Sequence, residues 1–73
     1  MSIEEQFSKN LRKLRKEHGF TQESLAETAG LEYKYIQMLE GKTPPSPTLR
    51  TLEKIGKALE MEPWELISFK EIE

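Results

Sequence analysis

No cysteine occurs among the 73 residues, so no disulfide reinforces a small core, and thiolate metal sites and cysteine nucleophiles are excluded. The single histidine, His18, stands beside Gly19 at the end of a predicted helix, with no second histidine and no spaced carboxylate group near it in sequence. Neither a metal site nor a base–nucleophile pair can be assembled from that set. A glycine-rich phosphate loop is also missing, and the Ser, Thr and Lys residues stand in no catalytic pattern. These gaps point away from an enzyme and imply no cofactor and no metal. No apolar run approaches the ~18 residues that span a bilayer. The start Met1-Ser2-Ile3-Glu4-Glu5 lacks the basic-then-apolar pattern of an export signal. A cytoplasmic protein with no membrane partner is therefore expected.

A chain of this length makes one domain at most, whose core withdraws roughly 60% of the unfolded surface from water. The formal net charge is −2, which by itself does not suggest nucleic acid. Its distribution says more. Lys9, Arg12, Lys13, Arg15 and Lys16 against Glu17 give residues 9–18 a local +4, whereas Glu60, Glu62, Glu65, Glu71 and Glu73 against Lys70 give residues 60–73 a local −4. Such a molecule presents an attractive side and a repulsive side to a polyanion, which orients docking and makes affinity sensitive to salt.

Ser2-Ile3-Glu4-Glu5 has the form of a capping box, after which Ile3, Phe7, Leu11 and Leu14 recur at helical spacing and predict a first helix over about residues 3–18. Gly19 supplies its left-handed stop, Phe20 returns the chain to the core, and Thr21 caps a second helix over about 22–28. Gly30 ends that helix, Leu31 fills the angle beyond it, and a third helix is predicted over about 32–40. The segment Gly41-Lys42-Thr43-Pro44-Pro45-Ser46-Pro47 cannot be helical throughout, because each proline removes a donor and drives the preceding residue toward extended geometry. Ser46 or Thr48 can cap a fourth helix with the apolar stripe Leu49, Leu52, Ile55 and Leu59, and Pro63 opens a short fifth helix through about Phe69. No strand candidate is present. The expected fold is all-α, a compact five-helix bundle forming one domain over residues 1–73.

Within it, about residues 21–40 have the pattern of two short helices joined by a tight turn. Ala26 is small enough for the helices to cross closely, and the spacing Gln22, Ala26, Gly30, Ile36 is that of a DNA-binding helix-turn-helix. With Ile36 turned inward and ~100° per residue, Lys34, Met38 and Gly41 face outward, flanked by Tyr33 and Gln37. Lys34 can donate to guanine O6 and N7, Gln37 can pair with adenine or reach a phosphate, and Tyr33 and Met38 can lie against thymine methyls. Tyr33, Lys34, Gln37 and Met38 are the expected base contacts. Gln22 at the start of the second helix, and Lys42 and Thr43 just past the third, are expected to hold phosphates, with Arg12, Lys9 and Lys16 at best longer-range contributors.

Arg15, Gly19-Phe20-Thr21-Gln22, Leu25-Ala26, Ala29-Gly30-Leu31, Ile36, Leu39-Glu40, Leu52, Ile55 and Ala58-Leu59 resemble the phage Cro and repressor type of helix-turn-helix, the Cro/C1 or XRE-like family. The resemblance spans about residues 7–67. It implies a lambda repressor-like five-helix bundle that binds operator DNA, usually as a homodimer, with the third helix in the major groove. It further implies that Arg15 and Glu40 form the family's structural ion pair. The chain departs from the family pattern where Glu40 and Gly41 are adjacent, a residue usually lying between them, and where Glu32 replaces the common Ser or Thr cap.

Trp64, Leu66, Ile67, Phe69 and Ile72 hold more apolar surface than one short helix buries against its own domain. Leu66 is assigned to the core. Trp64, Ile67, Phe69 and Ile72, in the candidate dimerisation segment 63–73, would set two recognition helices one DNA turn, ~34 Å, apart. An autoregulating homodimer on double-stranded DNA, similar to restriction-modification controllers and small phage-type repressors, is the expected function. Beside it stand an antitoxin that represses its own operon with a toxin partner, and a protein–protein adaptor that leaves the groove face unused and binds a basic partner on its acidic side. Gln22, Lys34, Gln37 and Lys42 weigh against the adaptor, which has no need of groove-facing donors.

Overall fold

Four α-helices and one 3-10 turn succeed one another in the computed structural model, which describes residues 1–69. They are α1 (Ile3–Glu17), α2 (Gln22–Ala29), α3 (Tyr33–Leu39), α4 (Leu49–Ala58) and the 3-10 turn Pro63–Ile67. Three helices start where a hydroxyl takes up orphan amides. Ser2 Oγ accepts from Glu5 N at 3.1 Å while Glu5 Oε1 accepts from Ser2 N at 2.9 Å, closing the capping box of α1. Thr21 and Ser24 exchange the same pair of bonds at α2, and Thr48 Oγ1 accepts from Thr51 N at 3.1 Å at α4. Glu32 precedes α3 without a side-chain cap bond, so its carboxylate acts on the helix start through charge alone.

α2 packs against α3 and α4, and the 3-10 turn packs against α4 and α1. The faces they share are lined by Phe7, Leu11, Leu25, Ala26, Ile36, Leu39, Leu52, Ile55, Leu59 and Leu66. Each of the large side chains in that set contributes ~1.5–3 kcal/mol by leaving water, against the ordering entropy of the chain. Three residues of the apolar stripes are not among them, Leu14 being only partly buried against the cluster. Ile3 and Leu49 sit at the first positions of α1 and α4 and are 58% and 83% exposed. Helical periodicity identifies a face but not whether neighbours cover its end, and here they leave both side chains largely exposed.

The predicted fifth helix is a 3-10 turn instead, and it stops at Ile67 rather than near Phe69. Five residues cannot repay the nucleation of an α-helix. The segment closes with i→i+3 bonds, Glu65 N donating to Glu62 O at 3.0 Å. Its anchors are tertiary: Leu66 is fully buried, and Asn10 Nδ2 of α1 donates to the Leu66 carbonyl at 2.8 Å. Ser46 of the proline-rich segment donates to the Glu4 carboxylate, which holds that carboxyl below its usual range and ties the loop to the start of α1.

Helices α1, α2 and α4 end in one motif. Phe20 N donates to Arg15 O at 3.0 Å, Leu31 N to Ala26 O at 2.8 Å and Met61 N to Gly56 O at 2.8 Å, the long-range bond of a Schellman turn. The motif requires a left-handed residue just before that amide. Gly19 (φ 76°) and Gly30 (φ 70°) supply it for α1 and α2, but for α4 the residue is Glu60 at φ 58°. A side chain there crowds the following carbonyl by about 1 kcal/mol or more. Glu60→Gly is expected to stabilise the protein by roughly 0.5–1 kcal/mol after glycine's greater unfolded-state freedom is subtracted. In a domain of this size that is a rise of a few degrees in the midpoint of a thermal melt followed by circular dichroism. An unchanged or lowered midpoint would contradict strain at Glu60.

Candidate nucleic-acid interface

The close crossing of α2 on α3 rests on Ala26, which is buried and leaves room for Ile36 and Leu39, both fully buried, on the rear of α3. Leu31 in the turn is half-buried against the core. With that rear face fixed, the front of α3 presents Tyr33 at 45% exposure and Met38 at 48%, with Lys34 and Gln37 exposed between them. Tyr35 lies half-buried against the core and takes no part in this row. Lys42 and Thr43 follow directly, both exposed, and Gln22 is half-buried at the first position of α2.

What holds these pieces in register is the carboxylate of Glu40, whose side chain has no exposed surface. Arg15 Nε donates to Oε2 at 2.7 Å and Arg15 Nη2 to Oε1 at 3.0 Å, a bidentate pair. Arg15 also donates through Nη1 to the Phe20 carbonyl at 2.8 Å. The Glu40 hydrogen bonds raise the guanidinium pKa against the opposing cost of burial, so this group keeps its charge throughout the pH range in which the protein is handled. Among the described residues no buried side-chain polar atom lacks a partner.

Two residues expected to be free for phosphate are already engaged at Glu40, Gln22 at its carboxylate and Arg12 at its backbone carbonyl. Gln22 Nε2 donates to Glu40 Oε1 at 3.0 Å. Arg12 Nη2 donates to the Glu40 backbone carbonyl at 2.8 Å, and its Nε lies 3.7 Å from Oε1 with the side chain still 54% exposed. The reason is acceptor capacity: a carboxylate offers about four lone-pair sites, and once buried it must fill them or bear the cost of desolvation. Arg15 alone leaves some of those sites open and Gln22 fills one of them, a demand created by burial, which the order of residues does not record. The Gln22 amide is thus held by Glu40, while Arg12 covers the carbonyl at the end of α3.

Phe69 is half-buried against the core, so it contributes less to an outer patch than expected. Trp64 and Ile67 are 64% and 37% exposed, and Ile72 lies outside the described residues. Among the described residues no His, Asp or Glu group gathers into a metal-sized cluster, and no helix is long and apolar enough to cross a membrane.

The Cro/C1-type HTH DNA-binding domain family matches residues 10–71. Among solved structures, the chain is similar to the restriction-modification controller protein C.AhdI from Aeromonas hydrophila, with 35% identity and a TM-score of 0.80 over 86% of this chain and 94% of that one. It is similar to C.Esp1396I bound to a 19 base pair DNA duplex, with 31% identity and a TM-score of 0.79 over 92% of both chains. The N-terminal DNA binding domain of SinR from Bacillus subtilis superposes with a TM-score of 0.81 at 27% identity, over 90% of this chain and 96% of that one. Comparison with curated protein sequences returned no match.

Removing Arg15 strands a buried carboxylate. Arg15→Ala is expected to cost ~3–5 kcal/mol, comparable to the whole stability of a domain this small, and to abolish the cooperative transition in a urea melt. Arg12→Ala, at a half-exposed site, is expected to cost under about 1 kcal/mol. Equal losses in the two variants would show that burial of the pair is not what sets its worth.

Proposed function

The chain belongs to the Cro/C1-type helix-turn-helix DNA-binding domain family, and on that premise we propose that it is a sequence-specific double-stranded-DNA-binding transcriptional regulator with α3 in the major groove. The observation that carries this is the front of α3, where Tyr33, Lys34, Gln37 and Met38 stand exposed in a row on a helix whose rear is locked into the core. Buried or scattered, these side chains would have no common target. Side by side they offer an ammonium for guanine, an amide for adenine and two apolar surfaces for thymine methyls. Lys42 and Thr43, and Gln22 with the first amides of α2, take phosphates on either side of the groove and set the register. In this role the Glu40–Gln22 bond aims the amide before DNA arrives.

In our reading the chain pairs with a second copy across a two-fold axis. Trp64 and Ile67 at the 3-10 turn support that pairing, since large apolar side chains so exposed mark an interaction surface. Two-fold symmetry gives a palindromic site with half-sites about one helical turn apart. The likeness to C.Esp1396I, a restriction-modification controller protein also solved on a 25 base pair operator site, supports binding to an operator, which in our reading lies near its own gene.

Purified protein is to be titrated against the 60 or so base pairs upstream of its own coding sequence and against a scrambled duplex, at two salt concentrations. Preference for the upstream sequence at both salts is expected, with affinity falling steeply as salt rises. The double variant Lys34→Ala/Gln37→Ala is expected to lose that preference while keeping its helical content and melting temperature, a loss of ~1–3 kcal/mol of discrimination per contact. Equal binding of both duplexes by the parent would refute the reading. In sedimentation velocity the parent is expected to run as a dimer and Trp64→Glu as a folded monomer. A parent that stays monomeric at micromolar concentration would remove the two-fold model.

A further inference from the structure

A cleft of about 890 Å³ opens between α1 and the first residues after α3, and Lys9, Arg12, Lys13, Lys16 and Lys42 line it. Its floor includes Glu40 and Gly41, and Ser8 Oγ of α1 donates to the Gly41 carbonyl at 3.4 Å, fixing α1 beside the end of α3. Two carboxylates are present, of which only Glu5 is exposed, so the cations of the cleft outnumber its exposed acid. Glu40 is buried under Arg15 and Arg12, and Glu5 accepts the Ser2 amide in the α1 capping box. The ion pairs among the described residues are Arg12–Glu40, Arg15–Glu40 and Arg50–Glu53, so none of them neutralises a cleft lysine. All four lysines are exposed.

We infer that this cleft is a second phosphate track, in which α1 grips the DNA backbone beyond the segment held by Lys42 and Thr43. The inference rests on the DNA-binding reading of the preceding subsection. Three features favour a duplex backbone over a small anion or an acidic protein. First, Lys9, Lys13 and Lys16 succeed one another at four and three residues, which strings them along one side of α1 over roughly 10 Å at 1.5 Å rise per residue. That row matches a repeating charge better than a single anion. Second, lysine ammonium groups on flexible stems bind phosphate as hydrated point charges without selecting its orientation, whereas a small-molecule site needs enclosure and a few converging polar groups. Third, the cleft is continuous with the proposed interface, because Gly41 and Lys42 form its edge and lead directly into Thr43. A backbone strand crossing Lys42 passes onto α1 without leaving positive potential. Contacts of this kind add affinity and salt dependence but carry no sequence information.

The test uses the full chain and a fluorescein-labelled duplex of its upstream DNA, with the slope of log Kd against log salt as the readout. Lys9→Ala/Lys13→Ala is compared with Lys54→Ala/Lys57→Ala, which removes the same charge from exposed positions of α4. The α1 variant is expected to have a slope shallower by about 2, near 0.9 per lost phosphate contact, with the ratio of upstream to scrambled affinity unchanged within about twofold. The α4 variant is expected to keep the parent slope. Equal slopes for parent and α1 variant, or equal changes in both variants, would overturn the cleft as a contact site while leaving the α3 reading intact. A parent without preference for its upstream DNA fails at the earlier step and takes this inference with it. Because all four substitutions are at exposed positions, unchanged melting temperatures serve as the check on folding.

Discussion

The Glu40 carboxylate is fully shielded from water, and a buried charge must be answered by donors at every lone pair it presents. Arg15 of α1 and Gln22 of α2 donate to it, Arg12 of α1 donates to the Glu40 backbone carbonyl, and Glu40 itself closes α3. Three helices are therefore referenced to one group. Hydrophobic burial of Leu11, Leu25, Ile36 and Leu39 drives them together, but apolar packing alone tolerates sliding, whereas a bidentate pair has one geometry. The carboxylate thus converts a stable bundle into one with a defined position for α3 against the start of α2. A surface that has to meet groove and phosphate at the same time depends on that position.

The same economy governs charge. The net value of −2 conceals a molecule with cations along α1 and the start of the following loop and with Glu53, Glu60 and Glu62 around the end of α4. The acidic side repels a polyanion, and the basic side, which includes Lys42 just past α3, attracts it. A weakly acidic protein of this kind binds DNA through the arrangement of its charges, so its affinity follows ionic strength closely.

Local features of this fold are legible in the order of its residues. Ser2, Thr21 and Thr48 begin helices because their hydroxyls satisfy orphan amides, and Gly19 and Gly30 end α1 and α2 because positive φ is free there, so α1, α2 and α3 begin and end within a residue or so of expectation and α4 starts after one of its two expected caps. The exposed row on α3 is legible too, because helical geometry fixes what stands opposite Ile36. Tertiary facts are not. That Arg12 and Gln22 turn toward Glu40 depends on acceptor capacity in a buried place, and no spacing rule records burial. Leu49 reads as core because it belongs to an apolar stripe, yet it stands 83% exposed where no neighbouring element arrives. Pro63 correctly marks a helical start, but five residues anchored by Leu66 and Asn10 settle into a 3-10 turn. Glu60 in a left-handed position has no sequence signal, since a glutamate there resembles any other surface glutamate.

The most direct test of the central claim is a residue-resolved titration, in which amide signals of the isotopically labelled protein are followed by NMR as its upstream duplex is added. Recognition through α3 predicts the largest shifts at the start of α2, along Tyr33–Met38 and at residues 41–43, saturating together at one stoichiometry. Shifts gathered instead around Glu53–Trp64, or absent at saturating duplex, would contradict it.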